Sequence, residues 1–124
     1  MSQVGLGRAA PDYRGLAAPW GPGRRYPELS GWLPAGAGPP NPVYAAVRAA
    51  LHALGLDAAR FGTPAWNPLG DLAPRGARIV LKPNFIRHWN PMPGGTLDSV
   101  ITHGSVLRAV LDYAWLAAGP EGRV

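Results

Sequence analysis

The chain contains no cysteine among its 124 residues. Disulfide bonds, cysteine-ligated zinc and cysteine-ligated iron–sulfur clusters are therefore excluded within these residues. The sequence also has no apolar run of the length that a signal peptide or a transmembrane helix needs. We therefore expect a cytoplasmic protein without a membrane partner, and composition alone names no cofactor.

Acidic residues are scarce, at seven against twelve basic residues, which gives a formal net charge of +5. This balance favours anionic partners such as phosphates, carboxylates or nucleic acid, but it does not choose among them. Lysine is scarcer still, because Lys82 is the single lysine and the other basic residues are arginines. One retained ammonium suggests a site where a guanidinium does not serve. The alternative is a lysine whose stem simply lies along the surface at a strand end.

Glycine and proline are abundant, at 17 and 15 residues, and they are dense before residue 43. We predict an irregular Pro/Gly-rich arm over residues 1–40, followed by the N-terminal part of an α/β domain over residues 41–124. Aromatic residues and arginines are interleaved in this arm, a pattern that can hold single-stranded nucleic acid. We favour a loop anchored by its rings, because no nucleic-acid motif accompanies the pattern. The residues concerned are Tyr13, Arg14, Trp20, Arg24, Arg25, Tyr26 and Trp32.

Two helices are predicted from capping residues and apolar spacing. Asn41 and Pro42 are suited to the N-cap and first position of a helix over residues 42–54, which Gly55 ends. A second helix is predicted over residues 104–118, stopped by Gly119 and Pro120.

The consecutive apolar residues Ile79, Val80 and Leu81 predict a strand over residues 78–83 that is buried on both faces, as in a parallel sheet. Strand, helix 104–118 and the final residues then form a right-handed βαβ unit without its last strand. We therefore expect an α/β fold that is incomplete, a truncated piece of a longer protein. Its open sheet edge would pair with the missing C-terminal half or with a second copy.

Three stretches resemble the opening half of domain-of-unknown-function family 362, a bacterial and archaeal group. They are Val80-Leu81-Lys82-Pro83-Asn84-Phe85, Ile101-Thr102-His103 and Val106-Leu107-Arg108-Ala109-Val110-Leu111-Asp112. The resemblance implies an α/β core and a full domain considerably longer than this chain. Some family members carry ferredoxin-like iron–sulfur modules, which a chain without cysteine cannot hold. The resemblance therefore implies a fold more readily than a reaction.

Four residues are expected to converge where the strand ends and the second helix begins: Lys82, Asn84, Thr102 and His103. Lys82 would neutralise a ligand charge, Asn84 would orient the ligand, and the helix start would add N–H donors and the positive end of its dipole. We predict that the protein binds an anionic small molecule there. Lys82 and His103 are the candidate catalytic residues if the full-length form is an enzyme.

A metal site is not predicted. His88, Asp98 and His103 are the weak candidates, and the spacing of the two histidines matches no compact ligand motif. Ser99 and Ser105 lack the sequence context of a catalytic serine. Two other hypotheses stay open: a module that binds nucleic acid or a protein through the arm, and a truncated product without activity of its own.

Overall fold

The structure is a computed structural model that describes residues 2–10, 13–31 and 39–124. Over those ranges the α-helices are α1, Pro42–Ala53, and α2, Gly104–Ala118, which pack against each other. Both helices lie where the sequence predicts them, and α1 ends one residue earlier than expected. Three short 3-10 turns complete the regular structure: Pro27–Leu29, Ala58–Arg60 and Leu97–Ser99.

The start of α1 is organised by a single side chain. Asn41 Oδ1 accepts hydrogen bonds from the backbone N–H groups of Val43 and Tyr44, both at 3.1 Å. Asn41 Nδ2 donates to the carbonyl oxygens of Trp20 and Gly21, also at 3.1 Å. The asparagine therefore caps the helix, as predicted, and also ties it to the arm.

The core lies between the two helices and is rich in aromatic rings. Its fully enclosed members include Tyr44, Trp66 and Tyr113, and the arm adds Tyr26 and Leu29 from around the first 3-10 turn. The arm therefore contributes buried residues to the same core as both helices.

A buried carboxylate from the arm lies inside this core. The Glu28 side chain has no solvent exposure, and its Oε1 accepts from Arg48 Nε at 2.6 Å and from the Tyr113 hydroxyl at 2.8 Å. The Arg48 guanidinium also lies over the rings of Tyr26, Phe61 and Trp66, 4.3–5.0 Å from their centroids. The charge pair is thus enclosed by aromatic faces that favour a cation.

A second polar network joins α1 to α2. The Tyr44 hydroxyl donates to Asp112 Oδ2 at 2.8 Å, and Arg108 Nε donates to the same carboxylate at 2.9 Å. Burial, together with the nearby carboxylates of Asp112 and Glu28, raises the pKa of the Tyr44 and Tyr113 hydroxyls well above the ordinary value. Both phenols are therefore held in the neutral, hydrogen-bond-donating form.

The predicted strand over residues 78–83 is wrong, and so are the βαβ unit and the α/β fold class. The described part of the chain contains no strand and no sheet, and its regular structure is helical. Two isolated bridges mark the region instead: Arg78 with Arg123, parallel, and Phe85 with Ile101, antiparallel. The physical reason is that a strand needs a neighbour along its length. Among the residues that the structure describes, the backbone between the two bridges has no such neighbour.

Burial of this segment also differs from the prediction. Val80 is 82% exposed rather than buried on both faces. A run of apolar residues predicts burial only when helices cover both sides, and that covering is absent over this part of the described structure. No helix in the described ranges is long and apolar enough to cross a membrane.

Candidate functional site

Exposure alternates strictly along the 79–84 segment. Ile79, Leu81 and Pro83 are partly buried, whereas Val80, Lys82 and Asn84 are exposed. This alternation is the signature of an extended chain with one face turned outward. The predicted ligand residues Lys82 and Asn84 therefore share the outward face.

Asn84 and Thr102 are brought together, as the prediction requires. The Asn84 N–H donates to Thr102 Oγ1 at 3.0 Å, and the Thr102 N–H donates to the Asn84 carbonyl at 2.8 Å. These bonds place Asn84 beside Thr102, the residue that precedes His103 at the start of α2. The Lys82 ammonium makes no hydrogen bond or ion pair within the described residues, so it is not drawn into this group.

His103 faces the arm. Its Nδ1 accepts from the Ser105 N–H at 3.2 Å and so caps α2. One ring face stacks on Tyr13 with centroids 4.1 Å apart, and Trp20 meets the ring edge-on at 5.6 Å. Trp20 also packs so closely on Gly104 that an added Cβ there would enter the indole ring. Aromatic side chains therefore cover the helix start, where the sequence predicts an anion.

An acid, an imidazole and a serine hydroxyl lie in a row at this position. Asp98 Oδ1 is 3.9 Å from His103 Nε2, and Ser105 Oγ is 2.8 Å from His103 Nδ1. Ser105 is fully buried, however, so no substrate can reach its hydroxyl. Because Nδ1 already accepts the capping bond, the neutral ring carries its proton on Nε2, which faces Asp98. Nε2 is therefore the ring nitrogen through which His103 can donate a hydrogen bond to a ligand.

The weak metal candidates do not assemble into a site. Asp98 and His103 are neighbours, but no group of three His, Cys, Asp or Glu side chains with metal-binding geometry occurs in the described ranges. His88 is exposed in the loop after the extended segment.

A cleft of about 730 Å3 opens beside His103, between the arm, α1 and the residues that precede α2. We call it the arm cleft. Most of its wall is apolar and formed by small side chains, while polar groups from the arm and from residues 96–99 lie among them. The described lining residues are Gly7, Ala9, Ala10, Tyr13, Arg14, Val43, Ala46, Val47, Ala50, Thr96, Asp98, Ser99 and Val106.

Two glycines allow the arm to lie directly on α1 and so form one wall of the cleft. A Cβ at Gly7 would collide with the Ala46 carbonyl, and one at Gly5 with the Ala50 carbonyl. Sequence reasoning missed this wall. The available signal was the pair of alternating glycines, which marks a close approach of two backbones.

The described rings of the arm that a nucleic-acid function would use already have partners within the chain. Tyr26 is in the core, Tyr13 stacks on His103, and Arg24 lies 4.8 Å from the centroid of the Tyr26 ring. Trp32 lies outside the described residues. The arm hypothesis stays a prediction, but stacking with bases would require these rings to leave their present partners.

A second exposed surface lies on the chain from residue 72 to residue 97. This stretch contains no acidic residue, while Arg75, Arg78, Lys82 and Arg87 are basic. Its exposed large apolar side chains, at 42–82% exposure, are Leu72, Val80, Phe85, Ile86, Trp89, Met92 and Leu97.

Comparison of the chain with protein families, with curated proteins and with solved structures gives no match. The resemblance to family 362 therefore stays a prediction that rests on the motifs quoted above.

Proposed function

We propose that this protein binds a small organic molecule in the arm cleft, with an apolar body against α1 and a cationic head at Asp98. The observation that carries this proposal is the cleft itself. Its volume of about 730 Å3 is within the range of small-molecule sites. Its lining combines a small-residue apolar wall with a few polar groups, as such sites do.

The charge of the head group follows from the lining. Asp98 is the acidic residue among the described lining residues, and its side chain is 47% exposed. Arg14, the basic residue of the lining, is already engaged in an interaction within the chain. An ammonium group at the Asp98 carboxylate gains a charge-assisted hydrogen bond. The His103 Nε2 atom lies 3.9 Å from Oδ1 of that carboxylate.

Three probes with the same apolar body test this assignment: benzylamine, benzyl alcohol and benzoate. Each is titrated into 15N-labelled protein, and amide shifts around residues 96–99 and 7–10 are followed. We expect benzylamine to bind about twofold to fivefold more tightly than benzyl alcohol, and benzoate most weakly, because one partly exposed charge pair contributes up to about 1 kcal/mol. Asp98→Asn should remove the difference between amine and alcohol.

Gly7→Ala tests the location, because its methyl group would push the arm away from α1. We expect this variant to weaken all three probes. Gly21→Ala is the matched control, since an added Cβ at Gly21 meets nothing within 4 Å. Tighter binding of benzoate than of benzylamine would contradict the proposed head group, and unchanged shifts around the cleft would contradict the site.

A second candidate is the anionic small molecule predicted from the sequence. It is favoured by one observation: Lys82 and Asn84 lie on the same outward face, next to Thr102. Inorganic phosphate is the probe, and the amide shifts of residues 82–84 and 102–103 are the measurement. Binding that is lost in Lys82→Gln but retained in Asp98→Asn would assign the ligand to this face rather than to the arm cleft.

A further inference from the structure

The backbone of the extended segment has an open stretch between its two bridges. At one end the Ile79 N–H donates to the Arg123 carbonyl at 2.8 Å, and at the other Asn84 exchanges hydrogen bonds with Thr102. Between them, the N–H groups of Val80, Leu81 and Lys82 have no protein partner in the described residues. Unpaired donors in an extended chain are the template on which another strand forms.

The side chains of this segment have the pattern of a strand with one face uncovered. The alternating exposure from residue 79 to residue 84 is that of an extended chain, and Val80 projects outward at 82% exposure. Ile86 follows at 67% and Phe85 at 60%. Single exposed apolar residues are ordinary, but several close together along one segment are typical of an interaction surface.

Charge identifies the kind of partner. Residues 72–97 contain no aspartate or glutamate, and Lys82 lies on the outward face between Val80 and Asn84. A strand that pairs with this segment places its own side chains next to Val80, Lys82 and Asn84. Opposite charges in such cross-strand pairs stabilise the pairing, and like charges destabilise it. A second copy of the chain would bring the same basic residues, Arg78, Lys82 and Arg87, to the interface, with no acidic residue of the 72–97 stretch to pair with them. An acidic strand avoids that repulsion.

We propose that the 79–84 segment pairs with an extended segment of a protein partner in which acidic and apolar residues alternate. Backbone hydrogen bonds to Val80 and Lys82, whose N–H groups point to the same edge of the extended chain, would supply affinity, and the alternating side chains would supply selectivity, as in other cases of strand addition.

The test uses the full chain and a fluorescein-labelled peptide of alternating valine and glutamate, with fluorescence anisotropy as the readout. Two peptides are compared with it: one with N-methyl groups on alternate amides, and one with glutamine in place of glutamate. We expect each change to weaken binding at least tenfold, because the first removes backbone donors and the second removes the charge. Equal binding of the N-methylated peptide would overturn strand pairing.

Substitutions in the protein locate the surface. Lys82→Glu should weaken binding of the acidic peptide at least tenfold. Arg25→Glu, an exposed arginine outside the segment, makes the same charge change and should leave the affinity within about twofold. Asp98→Asn should also leave the affinity for the acidic peptide unchanged. Failure of the strand-pairing proposal is therefore distinguishable from failure of the arm-cleft proposal. Equal weakening by Lys82→Glu and Arg25→Glu would show a response to net charge alone and would overturn the assignment.

Two further outcomes would also overturn the proposal. One is a dimer, observed by light scattering, that Lys82→Glu abolishes, because the occupant would then be a second copy. The other is tighter binding of a single-stranded oligonucleotide to the same residues. A monomer that binds the alternating acidic peptide and prefers it to the oligonucleotide supports the proposal.

Discussion

The core between α1 and α2 and the extended segment at residues 79–84 both contain large apolar side chains but differ in what surrounds them. Tyr44 and Tyr113 in the core are fully buried, whereas Val80 is 82% exposed. The charged groups of the core are paired with neighbours, as Glu28 is with Arg48. The backbone of the extended segment is open over three residues.

The difference shows that burial depends on available neighbours more than on local composition. The core residues come from the arm, both helices and the turn near Trp66, so each ring is enclosed from several directions. Within the described ranges, the backbone of the extended segment has a hydrogen-bonding partner only at each end. We therefore expect the first region to determine stability and the second to determine binding, and the predictions below separate these roles.

The largest effect is expected from Glu28→Ala. Removing this carboxylate leaves the largely buried Arg48 guanidinium, whose side chain is 13% exposed, and the Tyr113 hydroxyl without their shared acceptor. The loss of one partner from a buried pair costs about 3–5 kcal/mol of unfolding free energy. Urea denaturation measures it, and Glu121→Ala, at an exposed position, should change stability by less than about 0.5 kcal/mol. Equal losses of unfolding free energy in both variants would contradict the stabilising role assigned to the buried Glu28 carboxylate.

A smaller effect is expected at alkaline pH. In the unfolded chain, tyrosine ionises near pH 10, but the raised pKa values keep Tyr44 and Tyr113 neutral in the folded protein. Above about pH 10 the unfolded state therefore binds fewer protons than the native state, and stability falls as pH rises. Below about pH 10 these two hydroxyls do not change the free energy of unfolding as the pH changes.

Urea denaturation at pH 8 and at pH 10.5 checks this direction. The double variant Tyr44→Phe and Tyr113→Phe should be less stable at pH 8, because it lacks the hydrogen bonds to Asp112 and Glu28, and should lose less stability between the two pH values. A steeper loss in the double variant than in the parent chain would contradict the assignment.

The smallest effect on stability is expected from Val80→Ser combined with Ile86→Ser. Both side chains are largely exposed, so unfolding free energy should change by less than about 0.5 kcal/mol. Leu29→Ala, a single truncation at a residue that is 3% exposed in the core, should cost about 2–5 kcal/mol. A large loss in the double serine variant would mean that the extended segment is part of the core after all.

The sequence predicts the helices well because their signals are local. Asn41 and Pro42 mark the beginning of α1, and Gly119 marks the end of α2 with a positive φ of 70°. The strand prediction failed because pairing is not local: the residues Ile79, Val80 and Leu81 do not specify whether a second strand lies beside them.

The site was predictable in part. Asn84 and Thr102 do meet, and Thr102 leads directly into the helix start. The orientation of His103 toward Tyr13 and Asp98 could not be read from spacing, because it depends on where an irregular arm returns. The Glu28–Arg48 pair was equally hidden, since a single acidic residue in a proline-rich stretch gives no sign of the helix that it will contact.

The four hydrogen bonds of Asn41 have a consequence for which residues position 41 tolerates. Aspartate is as good a helix cap as asparagine in isolated helices. Here the second half of the carboxamide must donate to two carbonyl oxygens, and a carboxylate would present an acceptor to both. Serine or threonine could cap but could not reach both partners with donors. Position 41 therefore requires an amide for two reasons. Its oxygen must accept from the first N–H groups of α1, and its nitrogen must donate to the carbonyl oxygens of Trp20 and Gly21.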